Sequence, residues 1–375
     1  MNLKFLRFYA CIALLLLTIN APAQTGVINP STPATEATTT PPQNVAASLS
    51  TLPEADALIY ISPRKILNDV VPKFLSPTDL AQMQSSFRDI KQAVGVDPAT
   101  IEYVVIAVRF HKPGADLSFV APDIMMVTSG DFSADSLLTF ARLSMQQNAR
   151  DEKYGSKTLT VLKIDKLAEE AAKNPLLKSF GEIGAVSLNA NTLAIGNTSY
   201  LRVAIDALDG KGRITASSLD SLLRDQNAIM SAAGSPVKSL AKSFGLMGTE
   251  SVPRASPCET KFGDFYSAVT MDGTHFSFRG AINADNPDTA KIINGLLSGL
   301  LQQAISSVPD KNAQSVLQGI RMLPRGDEVV WEADIAQQSL IDFVREQMKP
   351  KPVVAPPPPP HPQKRPVTRR RVRHK

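Results

Sequence analysis

Hydrophobic and polar residues alternate with helix or strand periods along most of the chain. The clearest pattern is in residues 280–308, where the end of a strand leads into one long helix. Asn286, Pro287 and Asp288 are typical of a helix start, because they supply a side-chain acceptor, a helical φ and a carboxylate at the positive end of the helix dipole. The apolar pairs that follow, between residues 292 and 305, predict a core helix that contacts more than one neighbour.

Strand patterns predict two long hairpins. Residues 101–110 are rich in β-branched and aromatic side chains, and residues 123–128 are predicted as their antiparallel partner. Residues 265–271 and 274–283 predict a second hairpin, because Asp272 followed by Gly273 is a strong turn signal. Shorter strands are expected at residues 57–61, 158–164, 186–188, 193–196 and 328–335.

Helix starts are expected after Ser62, Ser76, Ser133 and Thr198, and further helices at residues 310–320 and 337–348. Residues 130–136 and 280–286 are similar, and each follows a two-strand meander and precedes a helix, which predicts an internal repeat. Chance similarity is the alternative, because the same residue types are favoured at any helix start. Together with this repeat, the predicted helices and strands indicate an α+β fold class with two related modules. Each module is expected to be a mainly antiparallel sheet with helices packed on one face, and the N- and C-terminal segments are expected to be disordered.

Domain boundaries follow from changes in composition. Residues 1–23 predict a secretory signal peptide, since Lys4 and Arg7 precede an apolar run that ends in the small-x-small site Ala21-Pro22-Ala23. An uncleaved anchor is the alternative, although the run is short for a membrane span. The remainder of the chain is expected to comprise a Thr/Pro/Ala-rich disordered spacer (24–50), a first α+β module (51–248), a linker (249–263), a second α+β module (264–348) and a Pro-rich basic tail (349–375). The protein is therefore expected to be periplasmic or secreted.

The tail carries the excess positive charge of the chain. Of the formal net charge of +5, residues 1–23 contribute +2 and residues 349–375 contribute +9, which leaves −6 for residues 24–348. Prolines 356–360 predict a stiff polyproline II rod. The rod precedes the cations predicted to bind an anionic surface, which are Lys364, Arg365, Arg369, Arg370, Arg371, Arg373 and Lys375.

This tail predicts electrostatic attachment to an anionic envelope component, either the membrane surface or a cell-wall polymer. The alternative is a solvated tail without a specific role. Nucleic acid is disfavoured as a partner, because no aromatic residue is interleaved with the cations to stack on bases. No protein partner can be predicted.

Motifs for common catalytic and cofactor sites are absent from the sequence. It has no P-loop, no dinucleotide fingerprint, no H-E-x-x-H and no pair of C-x-x-C motifs, so we expect no cofactor and assign no catalytic or metal-binding residue. His111 and His275 are predicted to be half-exposed at strand ends. Ser62 and Lys65 have the S-x-x-K spacing of penicillin-binding enzymes, but without the companion motifs we interpret this spacing as chance. Cys258 is interpreted as an incidental loop residue.

Residues 52–61 (LPEADALIYI) and 191–197 (NTLAIGN) resemble segments of exported bacterial two-module α+β proteins of unknown function. The resemblance covers about residues 52–348. It implies bacterial origin and export, and it transfers no catalytic or binding residue.

The main hypothesis is a non-catalytic binding or scaffold module of the bacterial envelope, attached through its tail. The alternative is a hydrolase or transferase that acts on an envelope polymer with scattered carboxylates. Extracellular nucleic-acid binding is a third and weaker hypothesis.

Overall fold

The computed structural model describes residues 43–111, 122–145, 148–163, 182–235, 262–308 and 311–348. These residues form an α+β fold around one twelve-stranded sheet. Every strand pair in it is antiparallel. The predicted fold class, α+β with antiparallel strands, is confirmed.

The strands are, in chain order, β1 (Ala57–Ile61), β2 (Ile101–Arg109), β3 (Asp123–Gly130), β4 (Ala149–Tyr154), β5 (Lys157–Lys163), β6 (Glu182–Asn189), β7 (Thr192–Asn197), β8 (Met230–Gly234), β9 (Phe262–Asp272), β10 (His275–Ala284), β11 (Arg321–Arg325) and β12 (Glu328–Ala336).

The helices are α1 (Gln43–Leu49), α2 (Pro63–Lys65), α3 (Val71–Phe74), α4 (Pro77–Val94), α5 (Ala134–Met145), α6 (Thr198–Leu208), α7 (Ala216–Leu222), α8 (Pro287–Ser307), α9 (Lys311–Gln318) and α10 (Gln337–Met348). A π-helical turn, Ile66–Val70, joins α2 to α3.

The two parts of the sheet join at a central pair, β1 and β8. The strand order is β11-β12-β10-β9-β8-β1-β2-β3-β7-β6-β5-β4, and Ile59 of β1 lies opposite Ala232 of β8. On each side of this pair a hairpin (β2–β3 or β9–β10) is followed in the chain by a helix (α5 or α8) and by further antiparallel strands, the last of which pairs with the hairpin (β7 with β3, and β12 with β10). This order is compatible with the predicted repeat. The sheet is continuous, however, and the division into two modules stays a prediction.

Helices cover both faces of the sheet. On the first face, α1, α6 and α7 pack on a core that includes Leu58, Val105 and Val186. On the second face, α2 to α4 and α10 pack on a core that includes Phe276 and Ile335, while α5 and α8 pack on smaller clusters. Neighbouring strand residues point to opposite faces, which places α5 and α6 on opposite sides of the same strands rather than on one face.

The folded body begins earlier than the sequence predicted. Residues 43–49 of the expected spacer form α1, and Leu49 is fully buried in the core of the first face. Val45 and Leu49 lie one turn apart in α1 and contact that core together with Leu52, which follows the helix. The Thr- and Pro-rich composition of the segment concealed this signal. The remainder of the predicted spacer lies outside the described residues.

The predicted capping chemistry is confirmed at Ser76, Ser133 and Asn286. Ser62 precedes α2 as predicted but makes no side-chain capping hydrogen bond, and Thr198 is the first residue of α6 rather than its cap. Ser76 accepts a hydrogen bond from the backbone N–H of Asp79 at 3.2 Å, and α4 stops at Gly95, whose φ of 75° is left-handed. At α8, the side chain of Asn286 accepts a hydrogen bond from the N–H of Thr289 at 2.9 Å. These local signals agree with the observed helix bounds.

Helix α8 buries one side only. Ala290, Ile293, Leu301 and Ala304 are buried, whereas Ile292 is 64% exposed. The helix packs on β10, β11, β12 and α9, which confirms the prediction of several neighbours. Gly295 and Gly299 have the G-x-x-x-G spacing that is typical of close helix packing. Among the described residues nothing lies within 4 Å of a Cβ placed at either glycine, so no close packing is found there.

Both edges of the sheet are polar. The edge strand β4 has the sequence ARDEKY, and the opposite edge strand β11 has the sequence RMLPR. Charged side chains and proline on an edge strand oppose pairing with another chain. Neither strand was predicted from the sequence, because neither has the apolar alternation of a half-buried strand.

Gly280 lies directly under the indole ring of Trp331 in the adjacent strand, and a Cβ at this position would overlap the ring. Gly280→Ala is therefore expected to lower the free energy of unfolding by about 2 kcal/mol, because the indole must shift. Gly273→Ala is the matched control, since a Cβ there has nothing within 4 Å. Urea unfolding followed by fluorescence of Trp331, the single tryptophan, measures both variants. Equal stability of the two variants would contradict the prediction.

Candidate functional site

Polar side chains converge where β2 ends, β3 begins and α6 starts. Asp123, which is 6% exposed, lies opposite Arg109 in the β2–β3 ladder. Nη2 of Arg109 donates to Oδ2 of Asp123 at 2.6 Å, and Nε2 of His111 lies 3.3 Å from the same oxygen. Ser199 Oγ donates to Oδ1 of Asp123 at 3.1 Å. We call Arg109, His111, Asp123 and Ser199 the Asp123 cluster.

Further hydrogen bonds attach this cluster to the sheet. The side chain of Asn197 accepts from the N–H of Ile124 at 2.7 Å, and Oδ2 of Asp56 accepts from the N–H of Phe110 at 2.7 Å. The Arg109 guanidinium lies 4.7 Å from the ring centroid of Tyr200. The cluster therefore connects β1, β2, β3 and α6 through side chains that satisfy strand-end groups.

Electrostatics keep the central carboxyl group ionised. Burial alone raises the pKa of Asp123, but the hydrogen bond from Arg109, the charge of His111 and the hydrogen bond from Ser199 outweigh burial, so its pKa is lowered. Nearby, burial raises the pKa of Tyr200, whose hydroxyl donates to the carbonyl of Glu54 at 3.0 Å. A general acid needs a raised carboxyl pKa, so Asp123 is not suited to that role.

The order of groups in the Asp123 cluster also differs from that of a hydrolase triad. In a triad the histidine lies between serine and aspartate and takes the serine proton. Here Asp123 lies between Ser199 and His111 and binds each through a different oxygen. The cluster can therefore fix the hairpin and the start of α6, but it provides no activated serine.

Both predicted strand-end histidines are half-exposed, as expected. The side chain of His111 is 39% exposed and that of His275 is 51% exposed. His275 Nδ1 lies 2.9 Å from Oγ1 of Thr274 and 4.0 Å from a carboxylate oxygen of Asp272. These are contacts within one turn and bring no second element to the imidazole.

The S-x-x-K mechanism needs a serine at a helix start, a lysine with a lowered pKa and a hydrogen bond between the two. Ser62 and Lys65 meet the first two conditions but not the third. Ser62 is 5% exposed and precedes α2, and burial lowers the pKa of Lys65. However, Lys65 Nζ donates to the backbone carbonyl oxygens of Gln226 and, at 3.4 Å, of Ala228. Lys65 therefore joins α2 to the segment before β8, and no hydrogen bond connects it to Ser62 among the described residues.

A polar cleft lies between α5 and the ends of β5 and β6. Its volume is about 370 Å³, which is within the usual range for small-molecule sites. Arg142 on α5 pairs with Asp151 of β4 at 3.3 Å, and Oδ1 of Asp151 accepts from Thr160 at 2.8 Å. The residues that line it are Asp135, Leu138, Arg142, Ser156, Lys157, Thr158, Ser187, Asn189 and Ala190. We call this space the α5 cleft.

Several predicted features lie outside the described residues. These are the seven tail cations, the signal peptide and Cys258. In the described ranges, no three His, Cys, Asp or Glu side chains come together in a way that could hold a metal ion. None of the described helices combines the length and apolar character needed to cross a membrane.

No protein-family model and no curated protein match the chain. Solved structures of TP0453 are distant structural neighbours. Crystal form III has a TM-score of 0.40 and 9% identity, and the match covers 83% of this chain and 100% of that one. Crystal form I has a TM-score of 0.39 and 12% identity, and covers 83% and 98%. A likeness of this degree supports no inference about function, and the resemblance to exported two-module proteins stays a prediction.

Sequence reasoning missed both the Asp123 cluster and the α5 cleft. The pairing of Arg109 with Asp123 could not be read from the sequence, because a long loop separates the two predicted strands and leaves their register open. The cleft had no signal in the sequence either. Its residues come from α5, the β4–β5 turn, the start of β5 and the end of β6, and β4 was not predicted.

Proposed function

We propose that this protein is a non-catalytic binding or scaffold protein of the bacterial envelope, attached to an anionic envelope component through its C-terminal tail. The observation that carries the proposal is the separation of charge. Residues 349–375 hold nine cations and no acid, whereas residues 24–348 carry a net charge of −6. An anionic surface repels the acidic body and attracts the basic tail. This favours attachment through the tail alone over adsorption of the body to the surface.

The body provides a firm attachment for the tail. Helix α10, which ends at Met348 directly before the tail, packs through Leu340 and Ile341 on the core of the second face. Both residues are about 95% buried, with 6% and 4% of their surface exposed. A proline-rich segment that starts from a fixed helix would hold the tail cations away from the acidic body. Beyond one Debye length of about 8 Å, the attraction between these cations and the body is largely screened by salt.

The Asp123 cluster supports the non-catalytic part of the proposal. Its serine, histidine and carboxylate are engaged in an order that does not activate a nucleophile, and the lowered pKa of Asp123 disfavours acid catalysis. No observation specifically favours the hydrolase or transferase alternative.

Binding of the full-length chain to vesicles tests the proposal. We expect association with vesicles that contain anionic lipid, or with purified anionic cell-wall polymer, and a strong decrease when salt is raised from about 50 mM to about 500 mM. A chain that ends at Met348 should lose this binding. So should a full-length variant in which the seven tail cations are replaced by glutamine, because each contributes about 1 kcal/mol near an anionic surface.

The control variant shuffles the tail sequence while keeping its charge, and it should bind as well as the natural chain. Equal binding by the chain that ends at Met348 would contradict the proposal. Preference for the membrane or for the polymer identifies which of the two anionic components is bound.

A further inference from the structure

We propose that residues 236–244, which lie outside the described residues, form an amphipathic helix that docks on the second face of the sheet, over β1, β2 and β3. This interaction surface is in the body of the protein, and the proposal does not depend on the tail or on the attachment proposed above. Two independent observations support it. One is an apolar part of the sheet that stays partly exposed, and the other is a connection whose sequence and length suit that part.

A row of apolar side chains crosses the middle of the sheet on the second face. Strand register places Ile59 of β1 opposite Ile106 of β2, and Ile106 opposite Met126 of β3. We call these three residues the central apolar row. Met126 is 37% exposed and the two isoleucines are half-buried, whereas the neighbouring Val105 and Met125, which point to the first face, are fully buried. The same strands are therefore covered on the first face and partly open on the second.

Described helices lie on both sides of this row. Ile195, which is opposite Met126 in the strand pairing, packs on the cluster under α5, and Ile61 packs on the core of α3, α4 and α10. The central apolar row itself belongs to none of the buried clusters formed by the described residues. Apolar side chains in the middle of a sheet are ordinarily covered by another layer, so this row indicates a docking surface.

Residues 236–261 leave the sheet beside the central apolar row. They connect β8 to β9, which are neighbouring antiparallel strands with Gly234 opposite Phe265. A hairpin loop needs only about two to five residues, so the connection is much longer than the strand geometry requires. Ala232 of β8 lies opposite Ile59, which places the start of the connection next to the row. The first face of these strands is filled, so the second face has the free surface.

The beginning of this connection has the sequence of an amphipathic helix. Ser235 followed by Pro236 repeats the start signal of α4, and Gly245 repeats the glycine at which α4 stops. The apolar residues Val237, Leu240, Ala241 and Phe244 have the i, i+3, i+4, i+7 spacing that forms one side of a helix. The polar residues on the other side are Lys238, Ser239, Lys242 and Ser243. A helix docked through its apolar side would keep both lysines in water.

The length of this helix matches the distance that it has to cross. Residues 236–244 would form a helix about 14 Å long. Three strand spacings separate β8 from β3, which is also about 14 Å. The first turn would therefore lie near β8 and Ile59, and Phe244 would lie over Met126. Residues 246–261 can span about 50 Å when extended, which is ample for the return to β9.

Disulfide trapping in the full-length protein tests this inference. The background carries Cys11→Ser and Cys258→Ser, which removes the two natural cysteines. In this background, Met126→Cys combined with Phe244→Cys should form a disulfide within one chain under mild oxidation, because docking brings the two positions together. Met126→Cys combined with Lys242→Cys is the matched control. Position 242 is on the polar side of the helix, so this pair should give about tenfold less disulfide.

Thiol labelling in the same background measures whether the docked helix covers the row. Met126→Cys should react with a maleimide about tenfold faster once Leu240→Glu is introduced, because a glutamate on the apolar side opposes docking. Lys242→Glu introduces the same side chain on the polar side and should leave the labelling rate unchanged. Fluorescence of Trp331 confirms that each variant is folded.

Equal yields of the two disulfide pairs, or a labelling rate of Met126→Cys that Leu240→Glu does not change, would overturn the proposal. Protection of Met126→Cys that persists in the Leu240→Glu variant would mean that another segment, such as residues 112–121 or 164–181, occupies the surface. Disulfides between two chains rather than within one would mean that a second copy of the protein occupies it.

Discussion

Ile293→Ala is expected to lower the free energy of unfolding by about 3 kcal/mol. Ile293 is 1% exposed and packs with Ala290, Ala284 and Val329 between α8 and the sheet. Truncation to alanine removes three buried carbons and leaves a cavity that the rigid sheet below cannot fill. The decrease in the free energy of unfolding therefore measures how strongly α8 packs on the sheet.

Ile292 provides the matched control for this variant. It is the adjacent residue in the same helix and has the same side chain, but it is 64% exposed. Ile292→Ala is expected to change the free energy of unfolding by less than about 0.5 kcal/mol, and could be slightly stabilising because alanine has the higher helix propensity. Urea titrations of both variants compare the midpoints and m-values. A similar loss for both would mean that the exposed side of α8 is covered in the protein.

Asp123→Ala is expected to lower the free energy of unfolding by about 2–3 kcal/mol at pH 7. Removal of one partner from a buried ion pair typically costs about 3–5 kcal/mol. The Arg109 side chain is 31% exposed, so water partly compensates for the lost carboxylate and the smaller value applies. Asp131→Ala, at an exposed carboxylate that follows the other end of β3, is the control and should have little effect.

The pH dependence of the free energy of unfolding of Asp123→Asn shows whether Asp123 stabilises the protein through its charge or only through its shape. The folded protein lowers the pKa of Asp123, so this group contributes stability that is fully present above its unfolded pKa of about 3.9. The contribution is lost as the pH falls through the lower pKa of the folded state. The free energy of unfolding of the natural protein should therefore exceed that of Asp123→Asn from about pH 5 to pH 7, and this difference should decrease below about pH 4. A difference that stays constant down to pH 2 would argue against an ionic role.

Local signals in the sequence were sufficient for the elements with strong caps or turns. The bounds of α4 follow from Ser76 and Gly95, and those of the β9–β10 hairpin from the turn after Asp272. Strand β8 was missed because its sequence, MSAAG, has weak β-propensity and becomes a strand only by pairing with β1 and β9. Tertiary context therefore determined this strand, and with it the continuity of the sheet.

The candidate sites depend even more on tertiary context. Ser199 lies at a predicted helix start, but its hydrogen bond to Asp123 requires α6 to begin beside the β2–β3 hairpin. The α5 cleft lies beside the β4–β5 hairpin, and the sequence of β4 is too polar for this strand to be predicted. The tail is the opposite case, because its charge and proline content are evident from composition alone.

The central β1–β8 pair has a consequence for how the chain reaches its folded state. Strand β1 pairs on one side with β2, which is close to it in the chain, and on the other side with β8, which begins only at residue 230. Such distant pairing requires closure of a long loop and slows folding, as in other proteins of high contact order. Until β8 is in place, β1 is a free edge with exposed N–H and C=O groups, open to pairing with another chain. The polar edges β4 and β11 protect the finished sheet, whereas this apolar central seam is vulnerable only while the protein is folding.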